Sequence, residues 1–329
     1  MKAQTRIFVS LISCFALFFL FAASAGAQSD YPNRPIQCVV TYSPGGATDL
    51  QARIVTMMAE EELGQPIAII NKPGAGGLVG WNWVVSSAKT DGYTMSTYNI
   101  PHFIAQSIVY ENAKYDIDSF EPVANWGSDP AVLVVHKDSQ FDTLEDLVQY
   151  AKKNPGMITV SGAGKYVGHH IALLQLQEAA DIQLTYIPMK GGVPALQAVV
   201  AQDVEAGFNN LSDAYRSRDK LNVLAIADTK RNKEFFPKVK TFQEQGYDEV
   251  DDTSVNRRGI VFPEGVDKAK VEKCAKAFPK MFKNEKVQEK MRNAGCPMEI
   301  LTRDEVKKMF KEQQEYLKSV LGKFSEEAN

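Results

Sequence analysis

Ile36-Gln-Cys-Val-Val-Thr-Tyr42 runs straight into Ser43-Pro-Gly-Gly-Ala-Thr-Asp49. Leu50, Ile54, Met57 and Met58 then fall at i, i+4, i+7 and i+8, and Gly64 follows. The β-branched run predicts a strand. The apolar spacing predicts one face of a helix, with Gly64 as its stop. The turn between them lies at the carboxyl end of the strand, where open parallel sheets bind their ligands. Glycines let the backbone approach a bound group and leave amide N–H groups bare. The helix that follows aims its positive dipole end at the same spot, so the turn reads as an anion site made of backbone. It lacks the Lys-Ser/Thr ending of a phosphate loop, so no nucleotide is implied.

The same unit recurs along the chain. Further strands are read at Ile67–Asn71, Thr94–Asn99, Ala131–His136, Ile158–Ser161, Leu184–Pro188, Val204–Asn209 and Val223–Ala227. Helices are read at Leu144–Lys153 and Val167–Ala179. Strand–helix–strand alternation predicts an α/β fold with parallel sheets and crossover helices. Beyond Phe262-Pro-Glu-Gly265 only helices are read, at Lys268–Lys283, Glu285–Ala294 and Arg303–Leu321, as a set that closes over a sheet made earlier.

Two more strand-to-helix turns carry the chemistry of the first. One is Val160-Ser-Gly-Ala-Gly-Lys-Tyr-Val-Gly-His-His170, with Lys165 and Tyr166 at its tip. The other is Pro188-Met-Lys-Gly-Gly-Val-Pro-Ala195, with Lys190 and Gly191 before a helix that Pro194 suits at its first turn. Phe208-Asn-Asn210 offers a further wall through Asn209. Thr48 can donate its hydroxyl. Asp49 has two readings, a cap that holds loop amides or a direct ligand contact, and a carboxylate beside a bound anion repels it. Lys165 has two as well, an acid contact or a solvated side chain. Tyr98, Asn99, His102, Trp126, Tyr166 and Met189 read equally as pocket wall or as packing.

The remaining features bound the function. Lys2 and Arg6 precede an apolar run over 7–21, and Ala25-Gly-Ala27 completes an export signal cleaved near Ala27. Residues 1–27 are therefore read as a signal peptide and the mature protein as periplasmic. The net charge of −3, with no Lys/Arg cluster, excludes nucleic acid as a partner. Past the signal stand Cys38, Cys274 and Cys296. An oxidising compartment allows a Cys274–Cys296 bridge, and geometry decides it. Cys38 reads as a small buried hydrophobe. Adjacent His169 and His170 face different sides of a helix and have no cysteine or carboxylate nearby, so no metal is expected. In Pro73-Gly-Ala-Gly-Gly-Leu-Val-Gly80 a valine, Val79, stands where a dinucleotide fingerprint needs its third glycine, so no cofactor is expected either. No G-x-S-x-G, H-E-x-x-H or C-x-x-C occurs, and no histidine sits with a nucleophile and an acid. The chain reads as a binding protein and not an enzyme, with a signalling sensor or a secreted enzyme as competing classes.

An ordered series of short stretches completes the reading: Tyr31-Pro-Asn-Arg-Pro-Ile-Gln37, Tyr42–Asp49, Leu63-Gly-Gln-Pro66, Asn71-Lys-Pro-Gly-Ala-Gly-Gly77 and Asp91-Gly-Tyr-Thr94. Ser161–His170, Lys190–Ala195 and Phe208-Asn-Asn-Leu211 follow in turn. In this series the chain resembles the Bug-type family, the extracytoplasmic substrate-binding proteins of tripartite tricarboxylate transporters. The resemblance implies a two-lobed type II periplasmic-binding-protein fold, each lobe a sheet flanked by helices, with C-terminal helices. It implies two inter-lobe crossings, near 128–131 and 250–258. Residues 28–129 with 256–329 then form one lobe and 130–255 the other. It further implies a monomer that closes on a small organic acid and delivers it to membrane permease subunits. One carboxylate would be held by Gly46, Ala47 and Thr48 from the first turn and by Ser161, Gly162, Val167 and Gly168 from the second. The chain departs from the family at Val167 and Gly168, where many relatives carry serines. It departs again at Arg257 and Arg258, where relatives often carry an aromatic pair. An arginine there suits a second carboxylate and so a dicarboxylate ligand; the other reading is a solvent-facing or salt-bridged pair.

Overall fold

The structure is a computed structural model and describes residues 31–326. The export signal and its cleavage site lie outside the described residues. Among the described residues, eleven strands and eleven α-helices follow in chain order: β1 (Ile36–Val40), α1 (Ala47–Val55), α2 (Ala59–Leu63), β2 (Ile67–Asn71), α3 (Leu78–Ser87), β3 (Thr94–Ile100), α4 (His102–Val109), β4 (Phe120–Asp129), β5 (Ala131–His136), α5 (Leu144–Lys153), β6 (Thr159–Gly162), α6 (Gly168–Ala180), β7 (Thr185–Pro188), α7 (Gly192–Val200), β8 (Ala206–Asn210), α8 (Leu211–Arg216), β9 (Leu221–Ala227), β10 (Asn256–Pro263), α9 (Lys268–Lys283), α10 (Glu285–Asn293), β11 (Met298–Leu301) and α11 (Arg303–Glu326). One sheet has the order β11-β4-β10-β3-β1-β2 and the other β7-β6-β8-β5-β9.

The sheets are mixed, which corrects the expectation of parallel sheets. β1 runs parallel to β2 and β3, and β6 runs parallel to β7 and β8. β10 is antiparallel to both β3 and β4, and β5 to both β8 and β9. The cause is the path of the chain. β4 leaves the first sheet for the second with only Pro130 before β5, and β10 returns beside it. The chain between them is spent on the second sheet and its helices, so the strand that leaves and the strand that returns beside it point in opposite directions. β4, β10 and β11 are also strands that the apolar pattern does not announce, and β11 overturns the all-helical reading of the C-terminal part. The first helix is shorter than its apolar spacing suggests. Thr56 bonds its hydroxyl back to the Ala52 carbonyl at 2.7 Å, and the chain restarts as α2 at Ala59.

Each sheet is covered on both faces. On β1, Ile36, Cys38 and Val40 pack with Val55, Trp126 and the α9 residues Phe278 and Met281, while Val39 on the other face joins Trp81, Phe103 and Phe310. On β5, Leu133 and Val135 pack with Leu147, Leu173 and Leu176, while Val132 and Val134 face Leu196 and Val199. Cys38, Cys274 and Cys296 are free. The Cys274 sulfur lies 3.6 Å from the Tyr31 hydroxyl, and the Cys296 sulfur 3.5 Å from the Ala294 carbonyl. The bridge that the compartment allows is thus not made. Burial pushes the Cys274 thiol up to about 11 and that of Cys296 up to about 12, so both are unreactive hydrophobes.

Candidate ligand cleft

α1, α6 and α7 begin at the three glycine-rich turns. None of their N-termini receives a side-chain cap from Gly46, Val167 or Gly191. Caps occur elsewhere, from Thr143 on α5, Asp267 on α9 and Asn284 on α10. At the glycine turns the first-turn N–H groups are left for another partner. Asp49 is not that partner's rival. Its carboxylate accepts the Gly45 amide at 2.9 Å, Asn71 at 2.8 Å and both Arg53 nitrogens at 3.0 Å. Burial pushes its pKa up, but the bonds from Arg53, the Gly45 amide and Asn71 outweigh this and hold it below the usual carboxylate range. Asp49 therefore shapes the first turn from behind.

One chain of buried polar side chains ties the three helices together. The Asn99 amide lies 2.8 Å from the Thr48 hydroxyl and 3.2 Å from Asn256 Oδ1. Asn256 donates to Asn210 Oδ1 at 3.3 Å, and Asn210 donates to Asp213 at 2.9 Å. His169 Nε2 meets the same Asn210 oxygen at 3.3 Å. Gly192 closes the series, because a Cβ there would stand 3.1 Å from Asp213 Oδ2 and 3.7 Å from Asn210 Nδ2. Thr48 is on α1 and His169 on α6, so these two N-termini are bonded to one anchor, and Gly192 at the start of α7 packs against it. All these side chains are buried.

The second turn is shaped by its own histidines. The Ala163 amide donates to His169 Nδ1 at 3.1 Å, the Tyr166 amide donates to His170 Nδ1 at 3.2 Å, and the Tyr186 hydroxyl donates to the Gly164 carbonyl at 2.6 Å. With Nδ1 accepting, the ring proton sits on Nε2. Burial, assisted at His170 by Lys165, lowers both imidazoles to about 4. His169 and His170 are therefore a pair of amide acceptors. No group of three or more potential metal ligands exists among the described residues.

The other expected site residues divide. Gly46 is half-buried at the open end of α1, with Ala47 and Thr48 buried behind it. Ser161 is spent on the Ala195 carbonyl at 2.8 Å. A Cβ on Gly162 would run into the Tyr186 ring, and one on Gly168 into the Ser254 carbonyl. Gly168→Ala is accordingly expected to cost about 1–3 kcal/mol through overpacking, read as a fall in the urea midpoint; an unchanged midpoint would show that the crossing yields. Val167 is buried, Tyr166 half-buried, and Lys165 and Lys190 are exposed without a carboxylate within 4 Å among the described residues. Gly191 precedes α7 with φ +127°. Asn209 is fully buried, and neither of its side-chain atoms has a partner.

The arginines are ion-paired, the second of their two readings. Arg257 pairs with Asp252 at 2.8 Å and Glu299 at 3.1 Å. Arg258 is buried beneath Thr48, donates Nε to its hydroxyl at 3.2 Å and pairs with Asp129 at 2.8 Å. Asp129 also accepts the Ser212 amide at 3.0 Å and its hydroxyl at 2.6 Å. Spacing along the chain could not reveal this knot, whose members lie 83 and 129 positions apart. Tyr98 and Trp126 belong to the core, bonded to Asn125 at 2.8 Å and Gln51 at 3.0 Å, and are not pocket wall.

Residues 51–325 match the model of the tripartite tricarboxylate transporter family receptor. The chain belongs to this family. A UPF0065 protein of Cupriavidus necator is 33% identical over 287 residues, 84% of each chain. Aligned stretches cover 64% and 84% of two curated relatives' own lengths. A solved periplasmic transporter is 29% identical and superposes with a TM-score of 0.82 over 89% of this chain and 98% of its own. MatC of Rhodopseudomonas palustris, solved with bound malate, is 25% identical with a TM-score of 0.80 over 88% of this chain and 99% of its own. The receptor has the two-lobed architecture of periplasmic binding proteins. Its family is one of extracytoplasmic solute-binding proteins that serve transport.

Proposed function

We propose that this receptor captures one carboxylate of a small organic acid at the joined N-termini of α1, α6 and α7 and delivers it to membrane permease subunits. The observation that carries the reading is the single buried chain from Thr48 to Gly192 that aims three uncapped helix starts at one place. The charges beneath it are matched, Arg258 by Asp129 and Arg216 by Asp213. Attraction for an anion then falls to helix dipoles and bare amides, which need no counter-ion. Gly46, Ala47 and Thr48 would contact the acid from the first lobe, and Val167, Gly168, Gly191 and Asn209 from the second. Lys165 and Lys190, exposed at the turn tips, are placed to meet a second carboxylate, so a dicarboxylate is the favoured ligand. The malate of MatC supports the same class.

The first lobe comprises residues 28–129 and 256–329, and the second 130–255. The exported chain begins after Ala27 and works as a monomer. A ligand that touches both lobes stabilises the closed arrangement by its differential affinity for it. An uncharged analogue leaves the amides unpaired, which gives specificity.

The test is thermal denaturation of refolded residues 28–329 with mono-, di- and tricarboxylates and their matched amides. A true ligand at ~100 times its dissociation constant adds about 2.7 kcal/mol, and its amide adds nothing. Stabilisation by a neutral or cationic solute and by no acid would overturn the reading.

A further inference from the structure

Tyr166 stands in the left-handed region, at φ +56°, in the middle of the second glycine-rich turn. That region is unfavourable for a bulky side chain, and such residues persist where surrounding contacts over-determine them. Both the amide and the ring of Tyr166 are held. Its amide is bonded to His170, as above. Its ring stands edge-on to Tyr110, at the end of α4 in the first sheet's half of the molecule, with centroids 6.0 Å apart. The series continues inward. Tyr166 meets His170 at 5.6 Å, and His170 stacks on Tyr186 at 4.5 Å and 27°. Tyr186 in turn donates to the Gly164 carbonyl. An aromatic ladder thus leads from α4 across the cleft into the turn and back to its backbone. Neither the Tyr110 nor the Tyr166 hydroxyl makes a hydrogen bond among the described residues. The contact between Tyr110 and Tyr166 is therefore one of rings, with no hydrogen bond from either hydroxyl.

We propose that Tyr166 is a positioning residue: its ring, seated on Tyr110 of the opposite lobe, holds residues 163–166 in the shape that presents the start of α6, so that lobe closure and assembly of the second turn are one event. The inference needs two lobes that meet at this ladder and does not depend on which ligand the cleft takes. An opened cleft separates Tyr110 from Tyr166. The turn then loses the contact that offsets its left-handed residue, its histidine bonds open more often, and it relaxes. On closure the ring contact re-forms and the turn is set.

The experiment is amide-resolved native-state hydrogen exchange on residues 28–329 without added ligand. Tyr110→Ala is expected to speed exchange at the Ala163 and Tyr166 amides, in the other lobe, roughly fivefold, the effect of losing one aromatic pair. Tyr166→Ala has the same effect. The double variant is no worse than Tyr166→Ala alone, because the Tyr110–Tyr166 contact can be lost only once. Tyr110→Phe and Tyr166→Phe leave the rates unchanged, and the amides of β5 keep their protection in every variant. If Tyr110→Ala does not yield folded protein, Tyr110→Leu, which keeps bulk without a ring, carries the same expectation. Unchanged exchange at Ala163 and Tyr166 after loss of the Tyr110 ring overturns the proposal, as do phenylalanine variants that behave like alanine. No acid enters the measurement, so a failure of carboxylate capture would show in the denaturation screen and not here.

Discussion

Asp129→Ala lowers the free energy of unfolding by about 3–5 kcal/mol, the loss expected when one partner of a buried ion pair is removed. Arg258 and Asp129 are both wholly buried. Without the carboxylate, the guanidinium has no charge to balance it and cannot shed its proton. The Ser212 amide and hydroxyl lose their acceptor in the same stroke. Arg258→Met should be the milder change. It leaves a carboxylate that keeps both Ser212 bonds and can neutralise itself by taking up a proton. The double variant should recover part of the loss, since a buried pair replaced by apolar groups is often nearly neutral. Urea denaturation of the three variants gives the ranking. A loss below about 1 kcal/mol for Asp129→Ala, the scale of an exposed pair, would mean that water reaches the pair.

Acidification is expected to act through the histidines before it acts through the carboxylates. An unfolded imidazole titrates near ~6.5, whereas burial holds His169 and His170 at about 4 and His102 well below its ordinary value. Between those values the unfolded chain binds protons that the folded one refuses. Stability is therefore full above ~6.5, falls as pH falls through the window, and levels off below about 4. The loss from His169 alone is roughly 3 kcal/mol. Asp213 and Asp228 have the opposite sign: burial raises both, and protonating them relieves part of the strain. A difference measurement isolates the histidines. His169→Gln/His170→Gln should flatten the stability curve between pH 6.5 and 4, because glutamine can accept an amide proton and does not titrate. A slope identical to that of the unaltered protein would show that these rings do not govern acid sensitivity. A proton forced onto Nδ1 also breaks the bond from Ala163 or Tyr166, so the second turn should loosen in the same window.

Much of this was legible in the sequence, and the residues show why the rest was not. The three glycine turns were read from composition and position, because glycine at the carboxyl end of a strand leaves few other roles. Asp49 was readable as a holder of loop amides on charge grounds alone. β4 escaped because Pro122, Asn125, Gly127 and Asp129 break its apolar pattern, although the strand is almost wholly buried. β10 escaped for a related reason, since it opens with Asn256-Arg257-Arg258-Gly259, and buried charges look like a loop. The partner that makes Arg258 burial tolerable is Asp129, on the outgoing strand, and pattern reading along one strand does not see the next. The histidine pair was read only as lacking metal partners, with no task of its own. Its actual task needed the fold, because an acceptor role depends on where a neighbouring amide points.

The two strands that join the halves of the molecule are paired to one another right to the crossing, the last residue of β4, Asp129, opposite the first of β10, Asn256. Beyond that rung the outgoing strand has one residue, Pro130, before the second sheet begins. Proline's ring fixes one of its two soft torsions. Such a joint behaves like a door hung on two pins at the same height. The panels can swing about a line through the pins, but they cannot slide past each other or twist freely. The mouth far from the pins is then the side that widens when the door opens, so arriving and departing solutes should share one route. How quickly a solute leaves would depend on how often the door swings, and less on any tunnel through its frame.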